Sequence, residues 1–423
     1  MKYVHLKFSH QRAIKKIQLR INGISLNVSA KAGKWFTNIP TLNSKDISIH
    51  GDQDNCCELC FSDEKIFHAD QLNFDVRYGI KKHDLCGVSV SYALSGELTT
   101  PRKILITFPG VSNFDNVNYR LSALTSLQTR LQDTLILAFQ DKEGVYGNYL
   151  FEDSSGSLLK PTIVSLIEGL KEKFNLNASD IIFYGNSKGA TIALDYLESY
   201  PKSYFFIDIP QLDLYNYNAQ NDLMRYSIGY EARKHYNFVD YLPTIKNKLI
   251  TYSFAENDFD NSRRIPMRDF KNINVAMLKD MEHSGSAMEL VKRQFTKVIQ
   301  LISSTSHIDR PQISANWIIK DDRIFFSRSL GSFKDESDIS KLYVEIEFHN
   351  NESSLNVSLN YRFDKFVIVH WENGFDILSH LPDGRFQTSL HVYSNYKEYV
   401  YPLKESIIID SGEIHIKTNS LAD

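Results

Sequence analysis

Residues 181–194 read Ile-Ile-Phe-Tyr-Gly-Asn-Ser-Lys-Gly-Ala-Thr-Ile-Ala-Leu, with Ser187 between Gly185 and Gly189. An apolar, strand-like run precedes the serine and a helical pattern follows it. A serine hydroxyl is a poor nucleophile near neutral pH. It becomes a useful one when a base takes its proton and a third group orients that base. A serine on a tight strand-to-helix turn has a strained backbone, and side chains two positions to either side would collide, so glycine is required there. Such a turn also sets Ser187 near the N–H groups and positive dipole end of the helix start, where negative charge is favoured. The pattern predicts acyl-transfer chemistry, provided an acid and a base stand elsewhere in the chain.

The Gly-x-Ser-x-Gly segment with these flanks resembles the nucleophile elbow of the α/β-hydrolase superfamily, over roughly residues 103–302. That resemblance implies the order nucleophile, acid, histidine, with the acid in a loop after the penultimate core strand. Lys248–Phe254 is strand-like and runs into Glu256, Asp258 and Asp260; Asp258 is the expected acid, with Glu256 and Asp260 as rivals and Asp208 as an alternative from the preceding strand. His283, beyond the strand-like run Asn274–Leu278 and before the last helix, takes the position of the base. The resemblance further implies two oxyanion donors, the backbone N–H of Lys188 and one from the loop Phe108–Asn113. Gly110 permits close approach there, so Val111 is the expected second donor and Ser112 the next. The Lys188 side chain could attract an anionic substrate, although at an elbow it more often points into the fold or out along the helix.

The Tyr-Gly-Asn-Ser-Lys-Gly elbow, the Glu282-His283-Ser284-Gly285 segment and a β-rich front also resemble bacterial enzymes of surface-polysaccharide and surface-glycoprotein modification. Among these are capsule O-acetyltransferases and an accessory secretion protein of adhesin export. This implies acetyl transfer to a sugar hydroxyl, with acetyl-CoA as a small-molecule donor, a carbohydrate acceptor and no tightly bound cofactor. A carboxylesterase or deacetylase is the alternative. A non-catalytic glycan- or protein-binding scaffold is a further one.

The elements that must position these residues follow from periodicity. Strand-like runs at 103–108, 134–139, 180–184, 204–209, 248–254 and 274–278 alternate with helical stretches at 119–131, 161–174, 189–199 and 287–302. That alternation predicts an α/β domain over residues 98–305 with a largely parallel, doubly wound sheet. A Tyr-rich insertion over 215–248 reads as a cap; its aromatic faces would suit sugar rings, although a run of tyrosines is more often ordinary core and rim. Residues 1–97 show short alternating runs around Asn22-Gly23, a hairpin signal. Residues 306–423 are again strand-like. β-sandwich-like domains are therefore expected on both flanks of the α/β core.

The 423 residues carry 48 Lys+Arg against 51 Asp+Glu, so no broad basic field for nucleic acid arises. No run of about 18 apolar residues occurs, and residues 1–30 lack a continuous apolar block, so neither a membrane span nor a secretory signal is expected. With only four cysteines in a chain of this size, a reducing cytoplasm is expected. Cys57, Cys60, His83 and Cys86 have zinc-ligand types and spacings, but buried thiols are the commoner reason for such a pattern and no metal is expected. Glycine-rich dinucleotide and nucleoside-triphosphate motifs are missing.

Overall fold

The computed structural model describes residues 3–8, 15–21, 23–30, 35–40, 47–50, 57–64, 69–111, 127–142, 147–153, 155–214, 237–242, 249–260, 263, 273–329, 342–360, 363–364, 367–368 and 374–418. The chain divides into two compact units, residues 1–198 with 211–238, and residues 199–210 with 239–423.

In the first unit the N-terminal alternation forms two small antiparallel sheets. In one, β1 (Tyr3–Phe8) lies between β4 (Trp35–Pro40) and β6 (Cys57–Ser62). In the other, β2 (Lys15–Ile21) lies between β3 (Ile24–Ala30) and β5 (Ile47–His50). Gly23, at φ +79°, turns the β2–β3 hairpin as its sequence requires. After α1 (Ala69–Tyr78) come β7 (Lys81–Leu85) and β8 (Val88–Gly96), then β9 (Lys103–Phe108), β10 (Thr134–Gln140) and β11 (Ile181–Asn186). Their order is β11-β9-β10-β8-β7, with β11, β9 and β10 parallel and the others antiparallel. Every residue of β10 is buried, and so is all of β9 after Lys103, the continuous apolar run of a strand covered on both faces. Helix α2 (Lys160–Lys173) buries Ile163, Leu166, Ile167 and Leu170 as one stripe. The seven residues of α3 (Lys188–Leu194) are all buried.

In the second unit β12 (Tyr204–Asp208), β13 (Ile250–Ala255) and β14 (Ile273–Leu278) are parallel. Helix α4 (His283–Ser303) begins one turn earlier than its apolar pattern suggested, so His283 is its first residue. There follow β15 (Ile308–Asp309), β16 (Asn316–Lys320), β17 (Arg323–Ser329), β18 (Tyr343–Asn350), β19 (Leu355–Asn360), β20 (Phe363–Asp364), β21 (Val367–Ile368), β22 (Phe375–Asp376), β23 (Gly384–Ser394), β24 (Lys397–Asp410) and β25 (Glu413–Thr418). β19 pairs in parallel with β14, and β18, β23 and β24 continue the same sheet antiparallel. Hydrogen bonding thus runs on past residue 305 just as β8 pairs with β10 across residue 97. β8 covers the β10 edge in the first unit and β19 the β14 edge in the second, edges that the parallel strands alone would leave open. Ile209, Ala255, Leu278, Leu290 of α4, Tyr343 and Tyr393 form one buried cluster.

The expected cap falls mostly outside the described residues (215–236 and 243–248), as do Ser112, Asn113, Cys56 and the helical stretch 119–126. Among the described residues no helix is long and apolar enough to cross a membrane.

Candidate active site

β11 delivers the chain to Ser187, whose backbone stands at φ 53°, ψ −119°. Positive φ on a non-glycine residue is strained, at a cost of about 1–3 kcal/mol. A Cβ on Gly185 would lie 2.2 Å from the Gly189 carbonyl oxygen. One on Gly189 would lie 2.4 Å from the Phe108 carbonyl oxygen at the end of β9. Both glycines are therefore obligatory, for the reason the sequence suggested. Ser187 is nearly buried at 8% exposure. Its carbonyl accepts from Ala190 N (3.0 Å) and Thr191 N (3.1 Å), which starts α3 directly at the serine. Lys188 is the first helical residue, so its N–H belongs to the positive helix start. A Cβ on Gly110 would lie 3.5 Å from the Asn186 carbonyl oxygen, so the stretch that ends in exposed Val111 runs beside the elbow.

The Lys188 side chain turns inward. Its Nζ lies 2.9 Å from Asp141 Oδ2, and both side chains are fully buried. Asp141 also accepts from Asn148 N (3.0 Å) and Tyr149 N (2.9 Å). Gly147, at φ +80°, leaves room for both ends of the pair, where a Cβ would come within 2.3 Å of Lys188 Nζ. This ammonium neutralises a buried carboxylate, so attraction of an anionic substrate is not its task.

In the second unit Asp258 and His283 meet. His283 Nδ1 donates to Asp258 Oδ2 at 3.0 Å. Asp258 sits in the loop that follows β13 and is 2% exposed. Its Oδ1 accepts from Asp260 N (3.0 Å) and from Arg263 Nη1. Burial by itself would raise the pKa of this carboxyl, but the His283 hydrogen bond and the Arg263 charge outweigh it and hold Asp258 below its ordinary value. The His283 ring, with 21% of its side chain exposed, meets the Phe259 ring edge-on at 5.2 Å between centroids. With Nδ1 turned to the carboxylate, Nε2 is the nitrogen that can accept a proton.

The rival acids have other partners. Glu256 accepts from Asp280 N (2.8 Å) and lies 3.6 Å from Lys279 Nζ. Asp260 stands 3.8 Å from Arg263 Nε. Asp208, fully buried, accepts at Oδ1 from Ser253 Oγ (2.8 Å) and from Gln294 Nε2, while its Oδ2 has no partner among the described residues.

Three residues that sequence reasoning missed complete these surroundings. Arg263, fully buried, bridges Asp258, the Pro210 carbonyl and the Phe259 face; its Nη1 is 3.0 Å from His283 Nδ1. Asp141 holds Lys188. Gln211 donates from Nε2 to Ser187 Oγ at 3.1 Å. None carries a motif signal.

Helix α4 is fastened by a buried charge network. Arg293 Nε donates to Glu345 Oε2 (2.7 Å), Tyr393 OH reaches both Glu345 (2.9 Å) and Glu398 (2.8 Å), and His391 Nδ1 donates to Glu398 (2.6 Å). His83 Nε2 bonds Ser165 Oγ at 3.3 Å, and Cys86 is exposed in the β7–β8 turn. Among the described residues no group of three or more His, Cys, Asp or Glu is placed to hold a metal ion.

The largely parallel strands and the strained serine between β11 and α3 are features of an α/β-hydrolase-type fold. No family model and no curated protein matches the sequence. Solved structures do. The capsule O-acetyltransferase of Neisseria meningitidis serogroup A is similar at 20% identity and TM-score 0.40, over 52% of this chain and 95% of that one. An S-formylglutathione hydrolase from Agrobacterium tumefaciens matches at 13% identity and TM-score 0.36, over 52% and 93%. The Glycosylation Associate Protein (Gap123) complex from Streptococcus agalactiae matches at 13% identity and TM-score 0.39, over 70% and 63%.

Proposed function

We propose that the chain is a serine acyl-transfer enzyme in which Ser187 is the nucleophile, His283 the base and Asp258 the group that orients the imidazole. One observation carries the reading: a serine held at φ 53°, ψ −119° between two glycines that no other residue could replace. Backbone strain of that kind persists only where the surroundings enforce it, and a serine serving merely as a helix cap would not need it. The Asp258–His283 hydrogen bond supports the assignment of acid and base.

In the proposed reaction Ser187 Oγ attacks an acyl carbonyl as its proton passes to His283 Nε2. The bond from carbonyl carbon to the leaving group then breaks, and that group takes the proton. The backbone N–H groups of Lys188 and Val111 are proposed to hold the oxyanion. An acceptor hydroxyl next gives its proton to His283 and attacks the acyl-enzyme, and Ser187 Oγ departs with the proton from the imidazolium. Atoms balance whether the acceptor is water or an alcohol.

The resemblance of the Tyr184–Gly189 and Glu282–Gly285 segments directs the substrate assignment: acetyl-CoA as a cytoplasmic donor and a hydroxyl of a bacterial surface polysaccharide as acceptor. Ester hydrolysis by the same residues is the second reading, favoured by any acyl-enzyme that water resolves. The chain, given acetyl-CoA with and without capsule-type oligosaccharides, is expected to release less free acetate and to form O-acetyl sugar when the acceptor is present. Equal acetate in both arms would count for hydrolysis. A fluorophosphonate probe that fails to label Ser187 would sink both readings and favour a binding scaffold.

A further inference from the structure

Gln211, 1% exposed, follows β12 and approaches the candidate nucleophile from the side of its oxygen. Its Nε2 lies 3.1 Å from Ser187 Oγ. The other end of the carboxamide is fixed by Thr191, one helical turn after Ser187, whose Oγ1 donates toward Gln211 Oε1 at 3.1 Å. The same hydroxyl accepts from Gln211 N at 2.7 Å and lies 3.0 Å from the Gln211 carbonyl oxygen. The neighbouring backbone is pinned as well, because Phe238 N donates to the Leu212 carbonyl at 2.7 Å. The single Thr191 hydroxyl hydrogen serves the Gln211 carbonyl oxygen and Oε1, and in this arrangement Nε2 is the end of the amide that faces Ser187.

We propose that Gln211 is a catalytic hydrogen-bond donor to the nucleophile oxygen and acts most strongly when that oxygen leaves the acyl group. This inference rests on Ser187 being the nucleophile. In the resting enzyme Nε2–H occupies a lone pair of Oγ, so the serine's own hydrogen must be donated elsewhere, which readies it for removal by a base. In the acyl-enzyme Oγ is an ester oxygen without a hydrogen. When the acceptor adds to the carbonyl carbon and the C–Oγ bond breaks, the electron pair returns to Oγ and the proton arrives from the imidazolium. Nε2–H keeps its own hydrogen and stabilises the negative charge that builds on Oγ before that proton arrives. A donor aimed at an oxygen that gains charge is worth more than one aimed at a neutral hydroxyl. Gln211 therefore favours the second half-reaction over the first.

The test uses the full chain and two readouts: the rate constant for fluorophosphonate labelling of Ser187, and the lifetime of acetyl-Ser187 in intact-mass spectra after p-nitrophenyl acetate is removed. Gln211→Met is expected to prolong the acetyl-enzyme about tenfold or more, while labelling slows by a smaller factor. Gln211→Glu, which keeps the shape but presents an acceptor, is expected to depress both. Should Gln211→Met fold poorly by thermal melting, Thr191→Val and Thr191→Ser repeat the test from the other end of the amide, the first prolonging the adduct and the second resembling wild type. A merely structural role would lower both rates by one common factor, and that result, or a lifetime within twofold of wild type, overturns the inference while the proposed function stands. A wild-type chain that neither labels nor acetylates at Ser187 overturns both.

Discussion

Asp208 offers a quantitative check on what the buried polar groups do. It ends β12 without solvent contact, and burial pushes its pKa from 3.8 to about 6 despite hydrogen bonds from Gln294 and Ser253 and the charge of Arg293. An acid whose pKa is raised by folding binds a proton in the native state that the unfolded chain has released. Stability therefore falls as pH climbs from about 4 to about 6 and is level above that. At 1.36 kcal/mol per unit the total change is about 3 kcal/mol. Asp208→Asn cannot titrate. Its Nδ2 would stand where Oδ2 has no partner among the described residues, a cost of about 1–3 kcal/mol that does not vary with pH. The variant's stability minus that of wild type should therefore rise by about 3 kcal/mol between pH 3.5 and pH 7, whatever the constant offset. Urea unfolding of both proteins at half-unit pH steps measures it. A difference that changes by less than about 1 kcal/mol, or falls with pH, refutes the reasoning. Retained fluorophosphonate labelling in the same variant separates this structural carboxyl from the proposed catalytic one.

Asp258→Asn is expected to lower kcat/KM toward p-nitrophenyl acetate by about 10³–10⁴-fold, whereas Glu256→Gln and Asp260→Asn stay within about tenfold, because Asp258 alone of the three bonds His283 in the contacts described above. Gly189→Ala should abolish labelling of Ser187 and lower the melting temperature, since its Cβ would meet backbone 2.4 Å away that has no rotamer to move. Lys188→Met leaves Asp141 buried without its ammonium and should cost about 3–5 kcal/mol in denaturant unfolding; Lys188→Met with Asp141→Asn should regain part of that loss.

Where the chemistry depends on neighbours in the chain, it was legible in advance. The elbow is a five-residue constraint, so Gly185, Ser187 and Gly189 announce their geometry through sterics alone, and the apolar runs around them announce β11 and α3. The proposed acid and base, Asp258 and His283, stand after β13 and β14, loops that strand periodicity locates and that the resemblance to the α/β-hydrolase order singles out. The inward turn of Lys188 was left open, since its direction depends on Asp141, 47 residues away.

The sequence by itself determined the alternation of strands and helices, the strained serine and the short set of acids and histidines from which a triad is proposed. All of these rest on contacts within a few residues or on hydrophobic periodicity. Only the tertiary structure decided that Asp258 rather than Glu256 bonds His283, that Arg263 clamps that acid, that Gln211 reaches Ser187 across 24 positions, and that β19 extends the sheet beyond β14. A hydrogen-bond donor, a cation or an open sheet edge has no preferred partner in the linear chain. Its partner is whichever complementary group the packed core brings within about 3 Å, and burial then makes leaving it unpaired costly.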